Sequence, residues 1–449
     1  MRVHHFNSYD HGGAAVAALR IHQGLIELNE PNLTSHFFYR FPQDNPTYPV
    51  TVAPADRSQI NFKPSPARWP KPLQGLLDRR RQKRIYRMFD RHLAARDERL
   101  ETFAMAELPQ PTWFDWTIQA ADIMHLHWIS YLVDYPSFFR SIPKHVPLVW
   151  TLHDMNPFTG GCHYSNGCQR FRQGCGNCPQ VVDANRHDVS WHSFRSKQRH
   201  LHRGGVTVVS PCQWLTELAR SSPLWPSDTK FETIHYGLDL NQFMPVEKDI
   251  ARRELGIAIP RDTVVIAFGA DNLNNPRKGG ELLTNALGRV VADLANQDDP
   301  APSVAAIIFG NGQIESLSGV TLHQMGYVDS LARQRSIYSA ADLVVVPSLE
   351  DNQPQVGLEA MACGRPVVGF DSGGISQYVR HEQTGMLAQA GSAYDLAQKL
   401  TYLIRQPKRC DSLGQQARAL VETEFEINKQ SRRYFELYQR LLQRDIKYP

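Results

Sequence analysis

Three clusters of residues in this chain have types and spacings suited to chemistry. The first is Pro347-Ser348-Leu349-Glu350-Asp351-Asn352-Gln353-Pro354, continuing through Gln355-Val356-Gly357-Leu358-Glu359-Ala360-Met361-Ala362-Cys363-Gly364. An apolar strand runs into a polar loop with two carboxylates, and the short helix after it carries a further one, Glu359. The second is Asn274-Asn275-Pro276-Arg277-Lys278-Gly279-Gly280. It sets a bidentate guanidinium and a point-charge ammonium at the start of a helix, where backbone N–H groups also favour anions. Cations at that end oppose the helix dipole, so a merely solvated pair stands beside the reading of an anion site, whose ligand would offset the cost.

The third cluster is Cys162, Cys168, Cys175 and Cys178, four of seven cysteines within seventeen positions. A closing C-x-x-C among glycines and a proline suits a closed tetrahedral Zn²⁺ site of structural kind, with His163 as a spare ligand. Redox-active thiols or an unligated loop are the alternatives. Nearby, His153 ends an apolar run as either a site histidine or a packed strand-end residue. Gly12-Gly13 follows the first apolar run and opens a helix, so its amides either face a phosphate or sugar or make a tight turn. The three-glycine dinucleotide spacing is absent there, and Gly310-Asn311-Gly312-Gln313-Ile314-Glu315 has Glu in the third glycine's place, which disfavours a nicotinamide enzyme.

These residues follow short β-rich runs separated by helical stretches, the rhythm of βαβ units and parallel sheets. The rhythm occurs twice. Expected strands of the first series lie at 1–6, 34–40, 121–128, 147–154, 205–211 and 231–237, and of the second at 262–270, 303–310, 320–328, 341–348 and 365–372. A run such as Leu343-Val344-Val345-Val346 suits a strand covered on both faces. A length of 449 residues gives room for two domains. The joint is expected near residue 242, which divides the chain into 1–241, 242–425 and a final amphipathic helix over 426–449 with Tyr434, Phe435, Tyr438, Leu441 and Leu442.

Hydrophobic residues at 42% and charged ones at 21% exclude collagen-like and wholly disordered chains. A net charge of +4 makes no case for nucleic acid as a partner. That charge is uneven: residues 63–99 hold twelve Lys or Arg against four acids, +8 locally and −4 elsewhere. Leu73, Leu77, Ile85, Met88 and His92 recur there at helical spacing, with Arg79, Arg80, Lys83, Arg87 and Arg91 largely off the stripe. Such a helix either lies on an anionic membrane surface or packs its stripe on its own domain. Met1 to Asn7 does not read as a secretory signal, and no run approaches 18 apolar residues. The expected location is cytoplasmic, peripheral on the inner face of the membrane where the basic helix acts as a foot.

The stretch from Glu350 to Val368 resembles the mark of the retaining glycosyltransferases of family 4: an acid, seven residues, then Glu within a Glu-Ala-Met-Ala-Cys-Gly-x-Pro-Val-Val run. Asp351 stands eight before Glu359, where that family usually has Glu, and Glu350 lies beside it. The likeness continues in order over nearly the whole chain, through Gly12-Gly13, Asp122 to Trp128, Thr151 to Asp154, Ile234 to Asp239, Arg277-Lys278-Gly279 and Gly373-Gly374-Ile375. It implies an α/β chain of the GT-B fold, two Rossmann-like doubly wound domains facing a central cleft. It also implies that Glu359 binds the donor's ribose hydroxyls, and that Lys278 with a basic neighbour holds the diphosphate. Ala270 follows Gly269 where the family often has Arg, leaving Arg277 as that neighbour, and Gln377 replaces a common Glu. Asp351 or Glu350, with the amides at Asn352, would hold the transferred sugar, Gly12 and Gly13 would serve the donor, and His153 would lie beside the reacting face.

The implied activity is transfer of a sugar from a nucleotide-sugar donor to a saccharide or lipid-linked saccharide acceptor, in bacterial exopolysaccharide or surface-polysaccharide assembly. Fixed cations can stabilise the departing diphosphate, so catalysis requires no metal, and no Asp-x-Asp triplet is present to hold one. The rivals are a nucleotide-sugar epimerase or phosphorylase of the same fold, and a catalytically silent sugar-binding scaffold.

Overall fold

The structure is a computed structural model that describes residues 1–41, 57–59, 71–112, 121–201, 205–296 and 302–445. Residues 63–70 of the basic run and 446–449 of the final helix expectation lie outside the described residues. Backbone proximity divides the described residues into unit 1, formed by those within 1–41, 57–234 and 431–445, and unit 2, formed by those within 235–430.

Unit 1 contains β1 (Arg2–Phe6), α1 (Gly13–Glu27), β2 (Thr34–Tyr39), β3 (Arg57–Gln59), α2 (Lys71–His92), β4 (Ile123–Leu126), α3 (Tyr135–Ser141), β5 (Leu148–Thr151), α4 (Val189–Leu201), β6 (Val206–Ser210), α5 (Gln213–Arg220) and β7 (Lys230–Thr233). Its sheet is parallel throughout, in the order β3-β2-β1-β4-β5-β6-β7. Alternate residues of a strand point to opposite faces. Phe6, Leu126, Trp150 and Val208 therefore share one face, packed on Phe138 of α3 and Leu215 of α5. Val3, Ile123, Val149 and Val209 share the other, covered by Ile21 and Leu25 of α1 and by Tyr434, Leu437 and Tyr438. The same parity puts His5, His125 and Thr151 on that second face, where apolar walls enclose polar groups.

Unit 2 contains α6 (Lys248–Leu255), β8 (Thr263–Asn272), α7 (Gly280–Ala295), β9 (Ser303–Asn311), β10 (Val320–Gln324), α8 (Leu331–Ala340), β11 (Leu343–Val346), α9 (Gln355–Ala362), β12 (Val367–Phe370), β13 (Gly385–Ala388), α10 (Ala393–Arg405) and α11 (Pro407–Glu424). The sheet order is β10-β9-β8-β11-β12-β13, again parallel. All four residues of β11 are buried, as the uninterrupted apolar run demands of a strand with helices on both faces. The short strands β3 and β13 were not among the expected strands, having too few residues to show an alternating pattern.

The last helix, α12 (Ile427–Asp445), starts in unit 2 and from Ser431 belongs to unit 1. Tyr434, Leu437, Tyr438 and Leu441 recur at helical spacing and are buried, each contributing about 2 kcal/mol through loss of apolar contact with water. The joint lies earlier than the expected residue 242, between Ile234 and His235. The segment after it is bonded into unit 2: the Tyr236 N–H donates to Gln353 Oε1 at 2.9 Å and the Leu238 N–H to the Phe425 carbonyl at 2.8 Å.

The stripe expected along α2 divides. Ile85 and His92 are buried, and Met88 packs against a cluster that includes Leu93, Phe103 and Val189. Leu73 and Leu77 are 41% and 39% exposed, and Leu76, Tyr86 and Phe89 are exposed with them. Arg81, Arg84 and Arg91 pair with Asp134, Glu107 and Asp183.

Candidate active site

In unit 2 the strand order reverses between β8 and β11, the switch point at whose carboxyl ends open α/β sheets bind ligands. Arg277 and Lys278 follow β8, and Glu350 and Asp351 follow β11. The turn is built locally. Asn275 Oδ1 accepts the Arg277 N–H at 3.0 Å, Pro276 starts a one-turn 3-10 helix, and Gly279 at φ 76° passes the chain into α7. A Cβ at Gly279 would stand 1.9 Å from the Pro347 carbonyl oxygen. Only glycine lets this turn lie against the end of β11, where the Leu349 N–H donates to the Arg277 carbonyl at 2.8 Å.

Both cations converge on one buried carboxylate. Lys278 Nζ donates to Asp351 Oδ2 at 2.7 Å, and an Arg277 guanidinium nitrogen lies 3.2 Å from the same oxygen. That guanidinium also donates to the Glu350 carbonyl at 2.7 Å. Asp351 is 4% exposed, and its second oxygen accepts the Asn352 N–H at 3.0 Å. The Gly374 N–H donates to the Asp351 carbonyl at 2.9 Å, which ties the Gly373-Gly374-Ile375 turn to this loop. Of the two neighbouring acids, Asp351 is thus the one turned to the cations, while Glu350 is partly exposed.

Glu359 is buried on α9, and its Oε2 accepts the Tyr338 hydroxyl of α8 at 2.8 Å. Tyr338 is a residue the sequence reading missed. It lies inside an amphipathic stretch with no motif, and only the packing of α8 on α9 brings it to the carboxylate. The structure therefore gathers Arg277, Lys278, Glu350, Asp351 and Asn352 at one switch point, with Glu359 on the helix that starts there.

Gly12, Gly13 and His153 belong to unit 1, at the carboxyl ends of β1 and β5, on either side of β4. Gly12 has φ 82°, and no atom lies within 4 Å of a Cβ built on it, so conformation and not crowding asks for glycine. His153 is buried, with Nε2 3.1 Å from His127 Nδ1, and His127 Nε2 is 2.9 Å from His5 Nδ1. Burial lowers the His153 pKa to about 4, against an opposing pull from Asp154, and drives His127 and His5 well below the ordinary value. A neutral imidazole has one N–H, so donation along the three rings runs in one direction. His125 joins the same layer, held by Thr151 Oγ1 and by Tyr438 Oη, each at 2.7 Å.

Donor atoms of His5, His125 and His127 lie within 4.8 Å of one another. Both nitrogens of His125 and of His127 are already engaged in hydrogen bonds, so the trio is a polar network rather than an open metal centre. The spacing His125-x-His127 was legible only as part of a family likeness; strand parity explains why both rings face the same way. Beside His153, Asp154 Oδ2 meets His163 Nδ1 at 2.6 Å and accepts Trp128 Nε1–H at 2.7 Å. Burial pushes the Asp154 carboxyl up, but His163 and these hydrogen bonds outweigh it and leave the pKa below the ordinary value.

Cys162, Cys168, Cys175 and Cys178 line one pocket of unit 1. Burial pushes the thiols of Cys175 and Cys178 up to about 12 and about 11.

Residues 262–406 match the family described as glycosyl transferases group 1. The chain is 30% identical over 201 residues to a D-inositol 3-phosphate glycosyltransferase of Rhodococcus opacus, a stretch that covers 42% of this chain and 43% of the relative. It is 27% identical over 263 residues to a GDP-mannose-dependent monoacylated alpha-(1-6)-phosphatidylinositol monomannoside mannosyltransferase of Corynebacterium glutamicum, covering 55% of this chain and 66% of that one. The chain thus spans less than two thirds of the length of these curated relatives. Among solved structures it is similar to Anabaena HepE in complex with UDP and glucose, with a TM-score of 0.63, 17% identity and coverage of 98% of this chain and 99% of that one. With two parallel doubly wound sheets, the second of which contains the segment that matches the glycosyl transferases group 1 family, the chain has a GT-B fold.

Proposed function

We propose that this chain is a retaining glycosyltransferase of the family 4 kind, moving a sugar from a nucleotide-sugar donor to a saccharide or lipid-linked saccharide acceptor in surface-polysaccharide assembly. The observation that carries the reading is the convergence of Arg277 and Lys278 on buried Asp351 at the switch point. In the reaction the bond from the anomeric carbon to the diphosphate oxygen breaks, and a bond to the acceptor hydroxyl oxygen forms on the same face. The hydroxyl proton passes to the departing diphosphate. Lys278 and Arg277 provide preorganised positive charge for that leaving group, so no catalytic metal is needed. Glu359 holds the ribose hydroxyls, and Asp351 or Glu350 with the Asn352 amide holds the sugar. The amides of Gly12 and Gly13 serve the donor from unit 1. His153, neutral because burial lowers its pKa to about 4, steadies the developing oxocarbenium through its ring or carbonyl without adding a like charge.

The test is incubation of the full chain with UDP-, GDP- and ADP-sugars, with and without saccharide and lipid-linked acceptors. Nucleoside diphosphate release that depends on acceptor, with anomeric configuration retained in the product, is the expected result. Release without acceptor points to an epimerase, dependence on inorganic phosphate to a phosphorylase, and donor binding without turnover to a silent scaffold.

Exposed Leu73, Leu76, Leu77, Tyr86 and Phe89 stand on α2 among exposed Arg79, Arg80, Lys83 and Arg87. This supports peripheral attachment to an anionic leaflet on the cytoplasmic side, with Lys and Arg each adding about 1 kcal/mol near such a surface. No helix among the described residues is long and apolar enough to cross a membrane. Flotation with phosphatidylglycerol vesicles should be lost when Arg79, Arg80, Lys83 and Arg87 are changed to Gln; unaltered flotation sinks the attachment.

A further inference from the structure

We infer that Cys162, Cys168, Cys175 and Cys178 of unit 1 hold one structural Zn²⁺ as thiolates, charge-matched by Lys197 and Arg96. The four side chains face a common pocket, and all seven cysteines are free of disulfides. A zinc ion held by four thiolates carries a net charge of −2, and two cations are placed to answer it. Lys197 is wholly buried and interacts electrostatically with Cys162 and Cys175; Arg96 does so with Cys178 and Cys162. Neither cation hydrogen-bonds a carboxylate among the described residues. Lys197 donates to the carbonyl and side-chain oxygens of Asn156, and Arg96 to the carbonyls of Gln180 and Glu101. Asp154 also acts on Lys197, but its oxygens are taken by His163, Trp128 and the Asn156 N–H. A buried ammonium beside neutral thiols is costly, whereas beside thiolates on a metal it is paired.

The backbone carries a second, independent sign. Gly161, Gly167, Gly174 and Gly176 adopt positive φ, and so do Asn166 at 48°, Cys175 at 61° and Asn177 at 46°. Non-glycine residues in that region cost about 1 kcal/mol or more each and persist where surrounding bonds over-determine them. Among the described residues the group of ligand atoms lying within 4.8 Å of one another is His5, His125 and His127, so the four sulfurs would have to close in on the ion as it binds. The same loop carries His163, which holds Asp154 next to His153. The metal would thereby fix a wall of the unit 1 site from behind, whichever reaction that site performs.

Element analysis of the purified full chain tests this without any activity assay. About one zinc per chain is expected, together with native-state thiols of the four cysteines that resist a thiol reagent until a mercurial displaces the metal. Cys175→Ser with Cys178→Ser should lose the zinc, whereas Cys178→His, which keeps a ligand, should retain it. Circular dichroism and a cooperative thermal transition of the full chain provide the folding control for both variants. A folded wild-type chain with no bound metal and four freely reactive thiols overturns the proposal. So does iron with acid-labile sulfide in place of zinc.

Discussion

Lys278 Nζ lies 2.7 Å from Asp351 Oδ2, and the Arg277 guanidinium lies 3.2 Å from the same oxygen. The carboxylate holds both cations in place and competes with any anion that approaches them. Asp351→Asn keeps the shape and removes the competition. Calorimetry should find UDP or GDP bound as tightly as in the wild type or more so, while sugar transfer falls at least about 100-fold, the scale of a lost electrostatic contact in a transition state. Weaker diphosphate binding in this variant would contradict the assignment.

Lys278→Ala and Glu359→Ala act on opposite ends of the proposed donor. A ligand that binds only the folded chain raises its thermal midpoint, so each variant should abolish the shift that the matching nucleotide sugar produces. A full shift in both would refute the donor site.

The Tyr338 hydroxyl donates to Glu359 Oε2 at 2.8 Å. Tyr338→Phe deletes that one hydrogen bond and keeps the ring. Loss of about 1 kcal/mol of orientation corresponds to about fivefold weaker donor affinity. Titration should register this in KM with kcat nearly unchanged, and an effect confined to kcat would place Tyr338 elsewhere in the mechanism.

Gly279 and Gly12 both have positive φ, yet their surroundings differ. At Gly279 an added methyl meets the Pro347 carbonyl at 1.9 Å, whereas at Gly12 nothing lies within 4 Å. Gly12→Ala should cost about 1 to 3 kcal/mol of conformational strain, because φ 82° with ψ 166° is nearly a glycine-only conformation. Gly279→Ala adds a backbone clash to its strain, should cost more, and should separate the Arg277 turn from the Asp351 loop. Chemical denaturation compares the two, and equal losses would mean that the close approach is unimportant.

Acid should loosen the layer of histidines. His153 has a pKa of about 4 when folded against 6.5 for the solvent-exposed ring of the unfolded chain, and His5, His125 and His127 move in the same direction. Between those values the unfolded chain binds protons that the folded one refuses. Stability from this source is therefore complete above about pH 6.5 and is lost as pH falls toward 4. The melting temperature should drop over that window, and His153→Gln should make the drop shallower. Superimposable pH profiles for the two proteins would exclude the effect.

The repeating strand-and-helix pattern was legible because buried parallel strands leave near-continuous apolar runs, as Leu343 to Val346 shows. The loop acids and the Arg277-Lys278 pair were legible because each follows such a run. Their pairing was not, since nothing in the spacing between Lys278 and Asp351 says that β8 and β11 are neighbours. The choice of Asp351 over Glu350 as partner of the cations rests on the turn after β11, which a list of residue types does not encode. Stripe periodicity on α2 mixed residues that pack, such as Ile85, with residues that face water, such as Leu73, because helical spacing records a face and not what covers it. His5, His127 and Tyr338 carried too little local signal, as each gains its partner from a distant segment.

The α12 helix also sets an order of assembly during synthesis. One face of the unit 1 sheet is covered in part by α1 and in part by Tyr434, Leu437 and Tyr438, and the latter three leave the ribosome only after all of residues 235–430. Unit 2 is contiguous over that stretch, so it can close while the larger sheet is still partly open on one side. For that interval the nascent first unit presents to the cell the apolar surface that α12 later covers, and it is the part of the chain that most needs a chaperone.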